Sequence, residues 1–448
     1  MPSDDPSTVT PSTAAPFLRG RRAALLLGSL FLVSVFAQVD RILPFILAEA
    51  IKAELALSDT QIGLVTGLAF AACYALLSLP MARLCDHGSP RLVLLACTLT
   101  WSVMTALGGL ATGFASLAAS RFGVALGEAG AVPSSHSIIA RRIGPTRRGI
   151  ALGIFSTGIP IGTMVGFGLG GAIGEQYGWR AALVAAGLFG AVVGILAAIA
   201  AGPTPPIRRA ASDASFWQES RALLAIPAFR ALLVVAVCIG FAATPFYAFA
   251  ATFLIRAHGF STTQAGVAFG LSQGLLGAIG TLAGGRRFDA SVRAGRAALL
   301  RAPMIAFAVA GLCTAAALFV ADARLCVALM MPAMFAFAFM LPFAFGAAHR
   351  VAGVGREGMA SSLAMIASGL VGPALGPLIV GVLSDGAAAA AAGARNGLAF
   401  GLLVVPAACA ATVIACRIAN RRMATAPPRS ILDDGPPDLV TASTLRAG

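Results

Sequence analysis

Twelve apolar runs, each roughly 20–27 residues long and so able to cross about 30 Å of hydrocarbon as a helix, succeed one another along this 448-residue chain. They cover 23–48, 60–82, 90–111, 114–140, 149–173, 180–201, 229–255, 263–285, 297–320, 325–348, 358–383 and 397–418. The pattern predicts an all-α membrane protein with two bundles of six helices. The N-terminal bundle is 23–201 and the C-terminal bundle 229–418, with a linker at 202–228 between them and tails at 1–22 and 419–448. The linker opens on Gly202-Pro-Thr-Pro-Pro206, a stiff start, and continues through Phe216, Trp217 and Leu223 as an expected amphipathic helix on the membrane surface. Residues 1–16, rich in Pro, Ser, Thr and Asp, read as disordered.

Arginines fix the expected orientation. With the amino terminus inside, the outer loops hold only Lys52, Arg180, Arg256, Arg324 and Arg395, while Arg41 and Arg121 fall within spans and every other basic residue lies inside. Both termini are therefore expected to be cytoplasmic. The near-absence of lysine points to a GC-rich bacterial genome and, on that ground, to a bacterial inner membrane.

Composition agrees and narrows the function. The chain is 58% hydrophobic and 11% charged, with a mean hydropathy of +0.87, against about 25% charged residues in soluble domains. Lys52 is the only lysine, which excludes a P-loop Gly-Lys pair and a Schiff-base chromophore. The eight cysteines make no Cys-x-x-Cys pair, and His-Glu-x-x-His is absent. No metal, cofactor or nucleic acid is expected, and an enzyme is not.

Charge inside an apolar span costs several kcal/mol unless paired or wetted, so it marks function. Span four carries Arg121 and Glu128, seven residues apart on one helix face, and span one carries Asp40 and Arg41. At 1.5 Å per residue, Asp40 lies roughly 12 Å and Arg121 roughly 10 Å from the outer ends of their spans. The matched depths predict an Asp40–Arg121 pair, with Arg41, about 100° round the helix, reaching either a different carboxylate such as Glu128 or an outer-facing partner. Arginine keeps its charge, so a proton can enter this cluster only on the carboxylates. A carboxylate alternately held and abandoned by arginine is what coupling a proton gradient requires; a fixed ion-paired lock between the two helices is the competing reading.

The second half has no comparable charge. It offers Thr244, Tyr247, Gln273 and a crowd of phenylalanines on spans seven and ten, many of them expected to face lipid and the rest to line the apolar side of a cavity. Candidate substrate contacts are Arg41, Arg121, Tyr247, Phe246, Phe343 and Gln273. Gly158, Gly162, Gly166 and Gly170 form a small-residue stripe expected to admit a close helix neighbour and to serve as a seam between the halves. The turns Ala82-Arg-Leu-Cys-Asp86-His-Gly-Ser-Pro-Arg91 and Gly285-Arg-Arg-Phe-Asp289-Ala-Ser-Val-Arg293 echo each other at matched positions. Asp86, Arg91, Asp289 and Arg293 are the candidate cytoplasmic gate.

The twelve spans and the paired Asp turns resemble the major facilitator superfamily. Val39-Asp40-Arg41, the stretch from Arg121 to Pro133 with its Gly-Glu-Ala, and Gly178-Trp179-Arg180 resemble its spinster-like branch. The resemblance implies a proton-linked carrier whose charged network is Asp40, Arg41, Arg121 and Glu128. Animal members are similar to exporters of sphingolipids and lysophospholipids. Ala82, where the loop motif has glycine, and His87, where it has arginine, weaken the first latch. The expected function is alternating-access transport, coupled to protons, of a lysophospholipid- or sphingolipid-like amphiphile by a monomer in the bilayer. The alternatives are a proton-coupled carrier of small organic anions or sugar acids, and a non-transporting receptor or assembly subunit.

Overall fold

The computed structural model describes residues 17–204, 216–295, 298–353 and 356–425, all helix and connecting turn with no strand among them. In the first half, α1 (Gly20–Ile46) passes at Leu47 into α2 (Ala48–Leu55). The second span is α3 (Asp59–Gly63), a π-helical turn (Leu64–Leu68) and α4 (Ala69–His87). The third is α5 (Pro90–Gly108), the fourth α6 (Phe114–Glu128) with α7 (Ala131–Arg142), and α8 (Arg148–Ala201) holds the fifth and sixth. The linker helix α9 (Phe216–Ala225) leads to α10 (Pro227–His258), α11 (Thr262–Arg293), α12 (Arg301–Ala317), α13 (Ala323–Ala352) and α14 (Glu357–Ala387), and the last span is α15 (Gly393–Leu402) with α16 (Val404–Ala424). Each apolar run of the sequence therefore falls on helix. Among the described residues, eight helical stretches are long and apolar enough to cross a bilayer by themselves; breaks divide spans two and four, span nine is short, and α8 holds two spans.

The breaks have local causes. Inside α8, Gly178 adopts φ 85°, ψ 156°, a conformation that L side chains avoid, and the chain reverses there. Trp179 and Arg180 fasten the reversal. The Trp179 indole N–H donates to Glu54 Oε2 at 2.6 Å, Arg180 Nε to Glu54 Oε1 at 2.8 Å, and Arg180 Nη1 to the Gly109 and Ala111 carbonyls. These bonds hold the exposed Glu54 carboxyl below its usual range, the Arg180 bond being the largest cause and the Trp179 bond the next. At the end of α6, a Cβ on Gly127 would lie 2.5 Å from the Trp101 amide nitrogen and 2.7 Å from the Cys97 carbonyl oxygen. Only glycine lets α5 approach so closely beside Glu128.

Two expectations change. The stripe Gly158, Gly162, Gly166 and Gly170 seats α1, through Ser34, Val35, Ile42 and Leu43, so it packs within the first half. The linker helix α9 buries Leu223 against Phe229, Ala348, Ala352 and Ala360 of the second half, in addition to any surface role. The linker stretch 205–215 and the tails before 17 and after 425 lie outside the described residues.

The halves meet along two related seams. Ser58-Asp-Thr-Gln61-Ile-Gly63 opens α3 and Ser261-Thr-Thr-Gln264-Ala-Gly266 opens α11, each with a capping box. Asp385 at the end of α14 accepts the Asp59 and Thr60 amide N–H groups at 3.0 and 2.8 Å, and the Thr60 hydroxyl at 2.6 Å. Glu175 on α8 accepts the Thr263 N–H at 2.7 Å. Carboxylates suit helix starts, where amides lack partners and the dipole is positive. Below each cap, glycines meet the opposing backbone: Gly63 at Pro377 and Gly67 at Pro373, Gly266 at Phe167 and Gly270 at Met164. Both seams lie on the side away from the chain ends. Toward the chain ends, Gly149 and Gly153 on α8, Gly285 on α11 and Gly369 on α14 have nothing within 4 Å of a built Cβ, unlike the seam glycines.

A valine at Gly266 collides with the Phe167 carbonyl, so Gly266→Val is expected to part the α8–α11 seam. Spin labels on the far ends of α8 and α11 should show longer distances than in the parent protein, and an unchanged distribution would contradict the seam assignment.

Candidate functional site

The four intramembrane charges converge. Asp40 is fully buried, Glu128 and Arg121 nearly so, while a third of the Arg41 side chain remains exposed. Arg41 Nε donates to Glu128 Oε2 at 2.5 Å, one of the two partners left open for it. The expected Asp40–Arg121 pair takes a different form. Arg121 Nη1 donates to the backbone carbonyl of Asp40 at 3.2 Å, and neither Asp40 carboxylate oxygen has a hydrogen-bond partner. The reason lies four residues on. Pro44 sits inside α1 without an N–H, so the Asp40 carbonyl loses its helical donor and the guanidinium takes the vacant acceptor. Arg121 and the Thr105 hydroxyl of α5 lie beside the carboxylate; Glu128 Oε1 and Arg121 Nε also lack partners.

Aromatic rings complete the setting. Arg41 lies 4.7 Å from the Tyr74 ring centroid and 5.2 Å from that of Phe70, and Arg121 lies 5.3 Å from Phe70. Cation–π contacts in desolvated sites contribute up to about 2 kcal/mol. Phe70, Tyr74 and Thr105 were not singled out from the sequence. The signal was available in the four-residue spacing of Phe70 and Tyr74, which puts both rings on one face of α4.

In the second half, Gln273 Nε2 donates to Tyr247 Oη at 2.8 Å across α11 and α10, and Gln273 Oε1 is left without a partner. Phe246 and Phe343 are almost fully buried in this state. Phe246 packs on Phe269 and Phe337, and Phe343 on Phe288 and Phe339. The lipid-facing expectation for the phenylalanines of these spans is corrected in the same way: Phe249, Phe253, Phe337 and Phe339 are buried core. Gly270-Leu-Ser272-Gln-Gly274 has Gly-x-Ser-x-Gly spacing, but it lies within continuous helix α11, without the strand-to-helix turn that exposes a nucleophile.

Charge overlooked by the span reading closes the far side. Arg256, at the end of α10, donates to both Asp59 oxygens at 2.8 and 3.0 Å and to Glu49 Oε2 at 2.8 Å; Lys52 donates to Asp59 Oδ1 at 2.5 Å, and the Ser384 hydroxyl donates to Asp59 Oδ2 at 2.6 Å. Burial acts to raise the Asp59 carboxyl, but the bonds from Arg256, Lys52 and Ser384 outweigh it and hold the group far below the usual carboxylate range. Near the chain ends, Asp289 and Arg293 are exposed and Arg91 half-buried, and Arg141 Nη2 donates to the Cys85 carbonyl at 2.7 Å in the echoed turn. The Asp86 side chain lies outside the described residues.

Two helical halves joined by paired seams on one side, with a charge cluster at mid-depth in the first half, have the build of a membrane carrier. The chain belongs to the Major Facilitator Superfamily, whose sequence profile matches residues 29–377. Within that superfamily it falls in the spinster-like branch. A bacterial homologue of the human lysosomal transporter Spinster, solved inward-facing and unoccupied, superposes with a TM-score of 0.81 at 25% identity, over 90% of this chain and 99% of that one. An MFS-type efflux pump of Mycolicibacterium smegmatis is 32% identical over 370 residues, covering 82% of this chain and 85% of that protein. A hexuronate transporter of Bacillus subtilis is 28% identical over 167 residues, 37% of this chain and 39% of its own length.

A carboxylate with a depressed pKa stabilises its partnered state above the ordinary range and loses that contribution only as pH falls through the depressed value. Distances across the Asp59–Arg256 seal should therefore be constant between pH 8 and 5. Asp59→Asn leaves Arg256 short of charge at roughly 3–5 kcal/mol, enough to open the seal at every pH. Spin-label distances that widen on acidification in the parent protein would count against this.

Proposed function

We propose that this multi-pass membrane transporter is a proton-coupled secondary carrier working by alternating access. Its proposed substrate is an amphiphile of the lysophospholipid or sphingolipid class, and its termini are cytoplasmic in a bacterial inner membrane. With that orientation the sealed side is external and the described state faces inward.

One observation carries the coupling: a fully buried Asp40 carboxylate without a hydrogen bond, beside an Arg121 that has taken Asp40's own carbonyl instead. An unpaired buried carboxylate is neutralised or repaired by a partner, so a proton and Arg121 are competing occupants of this group. In the outward state Arg121 turns to the carboxylate and the proton leaves. In the inward state it returns to the carbonyl and the proton is held. Glu128, tied to Arg41, holds the second cation in place and can take part in the exchange. An amphiphile would set its head at Arg41, which retains solvent access between Phe70 and Tyr74, and its tail toward Tyr247 and the second half. Likeness to the Spinster homologue and to an efflux pump supports the carrier reading; the substrate class follows from the resemblance to the spinster-like branch.

A small organic anion gripped by Arg41 is the second reading, favoured by that same exposed guanidinium and by likeness to a hexuronate transporter. Proteoliposomes under an imposed pH gradient separate the two when labelled lysophosphatidylcholine and a labelled hexuronate are offered in turn. The parent protein is expected to move the lysolipid. Asp40→Asn should abolish gradient-driven movement while sparing substrate exchange, and Glu128→Gln should impair it. If both variants keep gradient-driven transport, the coupling assignment is wrong; hexuronate flux without lysolipid flux would replace the substrate.

A further inference from the structure

A groove of about 640 Å³ lies apart from the charge cluster, between the start of α1, the end of α8 and Arg142 at the end of α7. It lies on the chain-end side of the protein, where these three helix termini come together. Its walls are apolar, with Leu25, Leu32 and Leu196 lining it and remaining exposed. Gly28 lies in the lining with nothing within 4 Å of a built Cβ, so the helices stand apart there. Arg22 and Arg142 also line it, and among the described residues the lining includes no acidic side chain. The Arg142 Nε is buried and has no hydrogen-bond partner. Its backbone is anchored by the Leu18 N–H, which donates to the Arg142 carbonyl at 2.9 Å.

We propose that this groove binds a membrane phospholipid with an anionic headgroup. Its phosphate would sit between Arg22 and Arg142, and one acyl chain would lie along Leu25, Leu32 and Leu196 past Gly28. Charge decides the occupant. An apolar slot alone accepts any lipid tail, but two arginines without a carboxylate, one with a buried unpartnered N–H, select a phosphate that carries net negative charge. Basic pockets between helices at the membrane surface hold anionic headgroups in this way. The volume is within the roughly 300–1,000 Å³ of small-ligand sites. A lipid held here bridges α1 and the sixth span, and it does so whatever the central cavity transports.

The test is native mass spectrometry and thermal unfolding of the full-length protein, released from nanodiscs of phosphatidylcholine with or without phosphatidylglycerol. Phosphatidylglycerol should be retained over phosphatidylcholine and should raise the unfolding temperature. Arg22→Gln with Arg142→Gln should weaken retention by about tenfold. Gly28→Leu, which fills the slot without touching charge, should weaken it too, while Arg21→Gln, exposed and outside the lining, should leave it unchanged. Equal retention of the two lipids, reproduction of the effect by inorganic phosphate alone, or full retention in both groove variants would overturn the proposal. An equal loss in Arg21→Gln would also overturn it, by showing a general basic rim instead of a site.

Discussion

Arginine cannot shed its charge inside a membrane, so each one placed there must find acceptors. Arg41 has the Glu128 carboxylate and two aromatic faces. Arg121 has a carbonyl that exists as a free acceptor only because Pro44 cannot donate to it. Cluster geometry thus depends on a proline that carries no charge. Without Pro44 the carbonyl would be spent within α1, and Arg121 would be drawn to the Asp40 carboxylate. The cluster would then be the static ion-paired lock that competes with the coupling reading.

A second constraint acts at the sealed side. α3 and α11 each begin against the other half, where their first amides would be left without partners. Asp385 and Glu175 supply acceptors across the interface, and Arg256 with Asp59 adds a buried ion pair at one seam only. The two seams are alike in plan and unequal in strength. The α3–α14 seam combines charge pairing with close backbone contact, whereas the α8–α11 seam rests on a single cap and on glycines.

Much of this was legible from the residues. Spans, breaks between them and the membership of the charge cluster follow from hydropathy and from depth along a helix. Depth matching put Asp40 and Arg121 at one level but could not say which Asp40 oxygen receives the guanidinium, because that depends on the acceptor vacated by Pro44. The loop echo around Asp86 and Asp289 drew attention, yet Ser58-x-x-Gln61-x-Gly63 and Ser261-x-x-Gln264-x-Gly266 are the tighter repeat and mark where the halves touch. Arg256 reads as a loop charge because it falls at a span end, and Asp59, just ahead of the second span, was not singled out. Their burial comes from the other half, which no local pattern contains. The phenylalanines of spans seven and ten looked lipid-facing for the same reason: a helix rich in phenylalanine on every side gives no sign of which neighbours will cover it.

The fifth span presents two neighbouring faces to two helices. Gly158, Gly162, Gly166 and Gly170 receive α1 at every fourth residue, and Phe167 and Gly171, one step round, receive α11. The helix that carries Asp40 is therefore keyed to the same rod that meets the opposite half. In the proposed cycle, a rotation at that seam would reach Asp40 with little slack, and a change at Asp40 would reach the seam as directly. Under that proposal, substitutions that loosen the α1–α8 keying would introduce backlash, leaving proton binding and helix movement each intact but out of step.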